Sequence, residues 1–418
     1  MSPITPAATG RQHSHRLRPL LGRDPNERHR TATPLELLYD LTFVVAFGTA
    51  ADHLAHYLTA GHTGTAVTGF LIAVTAVVVA WTDYSWFASA FDNDDWAFRV
   101  ATMVQMVGVV MVALGSEEMF ASIDAGGGLD VHVMVFGYVV MRSSMVLLWW
   151  RVARRDAART AAAASRIWTI GIAQVGWVVL AFSGLSLTPF LIAGAGFLAL
   201  DVFGPWISQR HKPTPWHAHH IAERHGLLVI ITLGEGVLGT VAALNVLVHT
   251  DHGWTFDAVL LAVAGIGMTF GMWWMYFTVP WGEVLSRHRE RSAFWSLGHI
   301  VLFASITATG AGLQAAAAFL EGGSALNRVG AVLTVAVPMT AYIGSFYGLG
   351  AVFLRHTNRF HLLLLAVTAG MVLSAIGLAG AGVGMAWCLV VLMMAPMVTV
   401  IGHETVGHRH MAEVLRRT

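Results

Sequence analysis

The chain has 418 residues, 56% hydrophobic and only 12% charged, with a mean hydropathy of +0.62 and a formal net charge of +1. A soluble domain carries about 25% charged residues, so the composition points to a polytopic membrane protein embedded in a lipid bilayer. The near-zero net charge gives no argument for nucleic acid as a partner. The single cysteine, Cys388, excludes an intrachain disulfide and a cysteine-based metal cluster.

Residues 1–33 are rich in Pro, Thr, Arg and His and lack the apolar core of a signal peptide, so they read as a flexible cytoplasmic tail. Apolar segments then recur at about 36–58, 64–91, 97–120, 129–150, 164–184, 187–206, 222–247, 257–279, 293–318, 329–353, 360–379 and 383–402. The pattern predicts an all-α integral membrane protein of about twelve transmembrane helices. Two six-helix halves, 34–206 and 222–402, are joined by a His-rich linker, 207–221, and followed by a cytoplasmic C-terminal tail, 403–418. Lys and Arg flanking membrane helices accumulate on the cytoplasmic side. With both termini there, 23 of the 25 basic residues fall on that side, Arg328 falls outside and Arg142 lies within a helix.

The halves resemble each other weakly. FVVAFG at 43–48, WF at 86–87 and Gln105 in the first align with VIITLG at 229–234, YF at 276–277 and His299 in the second. Six helices per half would give repeats of the same orientation, related by an axis along the membrane normal.

The first segment reads TPLELLYDLTFVVAFGTAADHL, the second ends WTDYSWFASAFDNDD, the seventh opens HIAERHGLLVIITLGEG and the eighth ends GMWWMYF. Together these resemble the bacterial low temperature requirement A (LtrA) family, from about Pro34 to the last helix. The resemblance implies a multi-pass protein of the bacterial cytoplasmic (inner) membrane, in a family named for growth at low temperature. Its pattern falls on Glu36 and Asp40, on Trp81, Tyr84, Trp86 and Phe87, and on His217, His220, Glu223, Arg224, Gly226, Gly234 and Glu235. Where the family often has a serine after the last glutamate, this chain has Gly236.

Asp40, Asp83, Gln105, Arg142, Asp201, Arg224 and His299 all fall in the cytoplasmic half of their predicted helices. Arg142 lies about 12 Å inside the helix end, too deep to snorkel fully to water. It requires an acid, for which Asp83 is the first choice, with Asp40 and Asp201 behind it. Such a pair is either a structural knot that fixes helix order or a gate at the inner mouth of a pathway. The basic stretch Arg151–Arg166 reads as a surface element beside anionic headgroups, and Trp149, Trp150, Trp206, Trp216, Trp281 and Trp295 read as interface anchors.

Glu235 sits about 18 Å beyond Glu223 along the seventh segment, near the middle of a hydrocarbon layer of about 30 Å. It either hydrogen-bonds a neighbouring helix, with Gly234, Gly236 and Gly239 allowing close packing, or serves as a proton or cation site. His217, His220 and Glu223, spaced i, i+3 and i+6, could place metal ligands on one helical face. A juxtamembrane turn of solvated histidines is the plainer reading. His299 is either a packed histidine or a proton carrier.

No cofactor is assigned by sequence, and no nucleophile motif, Walker loop or HExxH is present. The leading expectation is a transporter or channel-like protein for a small solute or ion, proton-coupled, with Glu235 near the midpoint of its pathway. A membrane-embedded metal- or haem-binding enzyme is the alternative. A non-transporting structural or sensory protein is the third reading.

Overall fold

The computed structural model describes residues 17–28, 30–209, 213–248, 253–354 and 359–408. Of the residues used to orient the chain, Arg11, Arg16, Arg210, Lys212, Arg355, Arg409, Arg416 and Arg417 lie outside these, as do residues 1–16 of the expected tail and 409–418 of the C-terminal one.

Fourteen α-helices form among the described residues: α1 (Pro34–Thr59), α2 (Thr63–Phe91), α3 (Trp96–Leu114), α4 (Ser116–Ala125), α5 (His132–Arg155), α6 (Thr160–Ala181), α7 (Leu187–Gln209), α8 (Ala218–Val248), α9 (Phe256–Phe277), α10 (Trp281–Arg287), α11 (Ser292–Leu320), α12 (Arg328–Leu354), α13 (Arg359–Gly380) and α14 (Met385–Gly402). They make twelve spans long and apolar enough to cross a membrane. α4 continues α3 to complete the third, and α10 continues α9 to complete the eighth. The first break falls at Gly115, where an added Cβ would lie 2.3 Å from the Met134 amide, so the absent side chain lets α5 approach. The second falls at Pro280, which has no amide hydrogen to continue a helical ladder.

Helix starts follow local chemistry. Thr33 and Glu36 form a capping box at α1, with Pro34 in the first turn. The Asp95 side chain caps α3 and Thr255 caps α9.

Helices adjacent in the chain pack on one another in both halves, but α9 also packs closely on α14 whereas α2 and α7 barely meet. α1 packs on α2 and α3, α3 on α5, α5 on α6 and α6 on α7; likewise α8 packs on α9 and α11, α11 on α12, α12 on α13 and α13 on α14. The halves meet where α1 and α2 pack against α8 and α11.

One feature departs from the sequence expectation. Residues 17–28 and 30–33, read as part of a flexible tail, run as a strap across the helix ends on the face where α1 begins. Leu20 is fully buried. The Arg18 amide donates to Asp95 Oδ2 (3.1 Å), the Gly22 amide to Asp156 Oδ2 (3.1 Å) and the Arg23 amide to Ala90 O (2.9 Å). His217 Nε2 lies 2.9 Å from Glu27 O, so the strap touches both halves. Its anchors are acids already set at helix ends.

Burial raises the carboxyls of Asp95 and Asp156, but hydrogen bonds from Arg151 and Arg159, those arginines' charge and hydrogen bonds from backbone amides together outweigh it and hold both below the ordinary range. The stretch Arg151–Arg166 is therefore a basic surface only in part, at exposed Arg154 and Arg155. Arg151 and Arg159 are paired, and Arg166 is buried inside α6. Of the expected interface anchors, Trp149, Trp216, Trp281 and Trp295 are buried, while Trp150 and Trp206 remain exposed.

Candidate functional site

The two halves are clasped by ionic side chains repeated one helical turn apart. Glu36 and Asp40 on α1 face His220 and Arg224 on α8, each pair at i, i+4 and so on one side of its helix. Arg224 Nη1 lies 3.0 Å from Glu36 Oε1, and its Nε donates to Asp40 Oδ2 at 3.0 Å. His220 Nε2 lies 3.2 Å from Glu36 Oε1. Trp81 of α2 donates its indole N–H to Asp40 Oδ1 at 2.6 Å, and its ring lies 5.7 Å from the Arg224 guanidinium.

Arg30, from the strap, adds its Nη2 at 3.2 Å from Glu36 Oε1 and 3.7 Å from Asp92. Glu36, Asp40, His220 and Arg224 are fully buried. Charges withdrawn from water this far persist only when paired and hydrogen-bonded.

A second network lies within the first half. Arg142 donates to Asp83 Oδ2 (2.6 Å) and to Asp201 Oδ1 (2.7 Å), while Arg166 donates to Asp83 Oδ1 (2.6 Å). Trp177 Nε1 donates to Asp201 Oδ2 at 3.2 Å. Two acids and two guanidiniums from α2, α5, α6 and α7 thus balance.

A third group is imidazole-based. His299 of α11 places Nδ1 2.8 Å from Trp295 O and Nε2 2.9 Å from the Tyr276 hydroxyl. The Nδ1 contact makes that nitrogen the donor, leaving Nε2 to accept from the phenol. His225 sits 4.7 Å from the His299 ring, with Nδ1 2.8 Å from Ile221 O and a buried Nε2 that has no hydrogen-bond partner among the described residues. Its ring meets Trp81 edge-on at 4.9 Å, joining this group to the clasp.

Glu235 lies deeper on α8 and is 6% exposed. Both carboxylate oxygens lie 3.3 Å from where a Cβ on Gly48 of α1 would stand, so the acid faces the other half across a glycine. Among the described residues it has no hydrogen bond or ion pair. One turn beyond Gly48, exposed Asp52 receives Gln314 Nε2 of α11 at 3.5 Å. Gly236 and Gly239 do serve packing: an added Cβ would lie 2.7 Å from Thr269 Oγ1 and 2.6 Å from Gly310 O respectively. Gly234 has open space around it.

The residues read as metal ligands do not converge. His217 Nδ1 accepts from the His220 amide, its Nε2 faces Glu27 O, and His220 turns towards Glu36. Among the described residues no group of three or more His, Cys, Asp or Glu is placed to hold a metal ion.

A family model described as "Bacterial low temperature requirement A protein (LtrA)" matches residues 31–396. The chain belongs to the LtrA family. Comparison with curated proteins and with solved structures found no match.

The residues carried over from the LtrA pattern divide by position. Glu36, Asp40, Trp81, Tyr84, His220 and Arg224 make or line the clasp. His217 and Glu223 lie against the strap. Gly226 packs by Phe277, with an added Cβ 3.3 Å from its ring. Trp86 and Phe87 line an open crevice. Sequence reasoning missed Arg30, Asp92 and Arg166 as members of these networks. Arg30 and Arg166 sit in polar stretches that resemble solvated ends, and neither shows its partner by spacing.

Proposed function

We propose that this LtrA-family protein is a transporter or channel-like protein for a small solute or ion, coupled to protons, with a pathway between its two halves. The observation that carries the reading is Glu235: a mid-span carboxyl, nearly buried, facing Gly48 across the interface between the halves without a partner. Intramembrane acids of this kind mark ion and proton pathways. The clasp of Glu36, Asp40, Arg224 and Arg30 is the closed gate at one end of that pathway, and Asp52 with Gln314 stands at the other.

We further read the strap face as cytoplasmic, from the excess of Lys and Arg that the sequence places there, and the bilayer as the bacterial inner membrane. The halves are a parallel duplication, a reading supported by the spacing of FVVAFG, WF and Gln105 in the first and VIITLG, YF and His299 in the second. The family's association with growth at low temperature is then a consequence of lost flux.

Purified protein in liposomes, assayed for movement of protons, alkali cations and small organic solutes, tests the reading. At least one flux above that of protein-free liposomes is the expected result. Background rates for every solute would rule transport out.

A further inference from the structure

α7 and α11 line opposite sides of one crevice without packing closely on each other. It lies against α2, narrow and open at about 90 Å³, and is lined by Phe87, Val202, Pro205, Leu297 and Ile300 among others. Its walls reach the bilayer, since Phe203 and Trp206 on α7 and Phe294 and Val301 on α11 are exposed on helices that span it.

Asp83, Arg166 and Asp201 form the polar end of the crevice, but their charges are spent on one another and on Arg142. The Trp86 indole is likewise used, donating to Ser296 Oγ at 3.0 Å. What remains available is an apolar slot open to lipid. Through Trp206, Ser292 and Ala293 it continues into a shallow basin at the helix ends, bordered by Arg289, Glu290 and Arg291. Arg289 lies 3.9 Å over the Trp216 ring and is half-buried, while Glu290 is exposed.

From this arrangement we infer that the crevice between α7 and α11 is a binding site for an anionic phospholipid, one acyl chain lying in the slot and the phosphate at the Arg289–Arg291 basin. The chain removes the slot's apolar wall from water at its mouth and supplies dispersion contacts along its length. The headgroup meets the guanidinium N–H groups left over once Arg289 Nη2 has donated to Trp216 O and Arg291 Nη1 to Val352 O, with the Glu290 carboxylate 3.5 Å from Arg291 Nε. Bound lipid would wedge the halves at the strap face, on the side away from the α1–α8 clasp. This does not depend on the protein carrying a flux.

The test is thermal unfolding of the full chain in detergent, titrated with phosphatidylglycerol, phosphatidylcholine or glycerol 3-phosphate. Phosphatidylglycerol should raise the midpoint temperature saturably, phosphatidylcholine should require a higher concentration, and glycerol 3-phosphate should have no effect. Arg289→Gln should raise the half-saturating phosphatidylglycerol concentration about fivefold, the equivalent of about 1 kcal/mol per basic side chain near an anionic headgroup. Leu297→Trp, which fills the slot, should abolish the shift, whereas Arg154→Gln, on an exposed arginine of α5, should leave it unchanged.

Native mass spectrometry of the wild type gives a second measurement independent of variant folding, with retained phosphatidylglycerol expected over phosphatidylcholine. Equal effects of the two lipids, a response to glycerol 3-phosphate alone, or wild-type titrations in both Arg289→Gln and Leu297→Trp would overturn the inference.

Discussion

Arg224 of α8 grips Asp40 of α1 with two guanidinium nitrogens, Nε at 3.0 Å from Oδ2 and Nη2 on Oδ1, joining the first helix of one half to the first helix of the other. The same guanidinium reaches Glu36 one turn earlier, so one side chain bridges two carboxylates, and Arg30 supplies the second positive charge.

Removing that side chain leaves both carboxylates buried with only Arg30, His220 and Trp81 near them. Arg224→Leu is expected to cost about 3–5 kcal/mol, as breaking buried pairs does. Arg224→Leu combined with Asp40→Leu should recover part of the loss, because the second change removes the stranded charge. Thermal unfolding in detergent measures both. A single variant as stable as the wild type would show that the clasp contributes nothing to holding the halves together.

The strap gives a pH dependence with two opposite signs. Asp95 and Asp156, held below the ordinary carboxylate range, contribute stability that is present above about pH 4 and lost as pH falls through their folded values. Asp92 is pushed up to about 6, first by burial and then by Glu36, against a hydrogen bond from the Asp94 amide and the charge of Arg30. The folded state therefore binds the Asp92 proton more tightly. Its contribution is present below about pH 4 and lost as pH rises through about 6.

Asp92→Asn should flatten the fall in stability between those values and leave the acid-side loss intact. Hydrogen exchange of residues 17–28 across pH 3–8, in wild type and variant, measures it. An unchanged slope in the variant would remove Asp92 from the account.

Two glycines around Glu235 separate its packing from its chemistry. An alanine Cβ at Gly48 would lie 3.3 Å from the carboxylate oxygens of a side chain that can shift, whereas at Gly310 it would lie 2.8 Å from the Glu235 carbonyl oxygen, which is backbone. Gly310→Ala is expected to destabilise by about 1–3 kcal/mol through overpacking of α11 against α8. Gly48→Ala should lose little stability, helped by the better helix propensity of alanine, and should slow flux by crowding the carboxyl. Unfolding and liposome assays on the same preparations distinguish the two; equal stability losses would contradict this division.

Much of the fold was legible in the sequence. Twelve apolar runs could be counted because each must satisfy its backbone within a helix while presenting apolar side chains to lipid. Asp83, Asp40 and Asp201 could be named for Arg142 because a charge buried that deep needs an acid at matching depth; Asp83 and Asp201 meet it, whereas Asp40 pairs with Arg224 instead. Pairing between distant helices was less accessible. Glu36 and Asp40 show an i, i+4 repeat, and so do His220 and Arg224, yet neither repeat says that it faces the other.

The strap was missed because Leu17, Leu20 and Leu21 show no helical or strand period, and its bonds run from single backbone amides to Asp95 and Asp156. Trp295 and Trp281 looked like interface anchors because they stand near helix ends; they are buried against His225 and His299, and against each other, instead.

The central claim is that Glu235 carries the coupled step of a pathway between α1 and α8. It is tested most directly by the initial flux through wild-type, Glu235→Gln and Glu235→Asp protein reconstituted at equal density, using whichever solute or ion the wild type moves. Glutamine keeps the size and removes the ionisable group, so the account predicts loss of flux in Glu235→Gln, partial flux in Glu235→Asp, and unfolding midpoints close to wild type for both. Wild-type flux in a folded Glu235→Gln protein would contradict it.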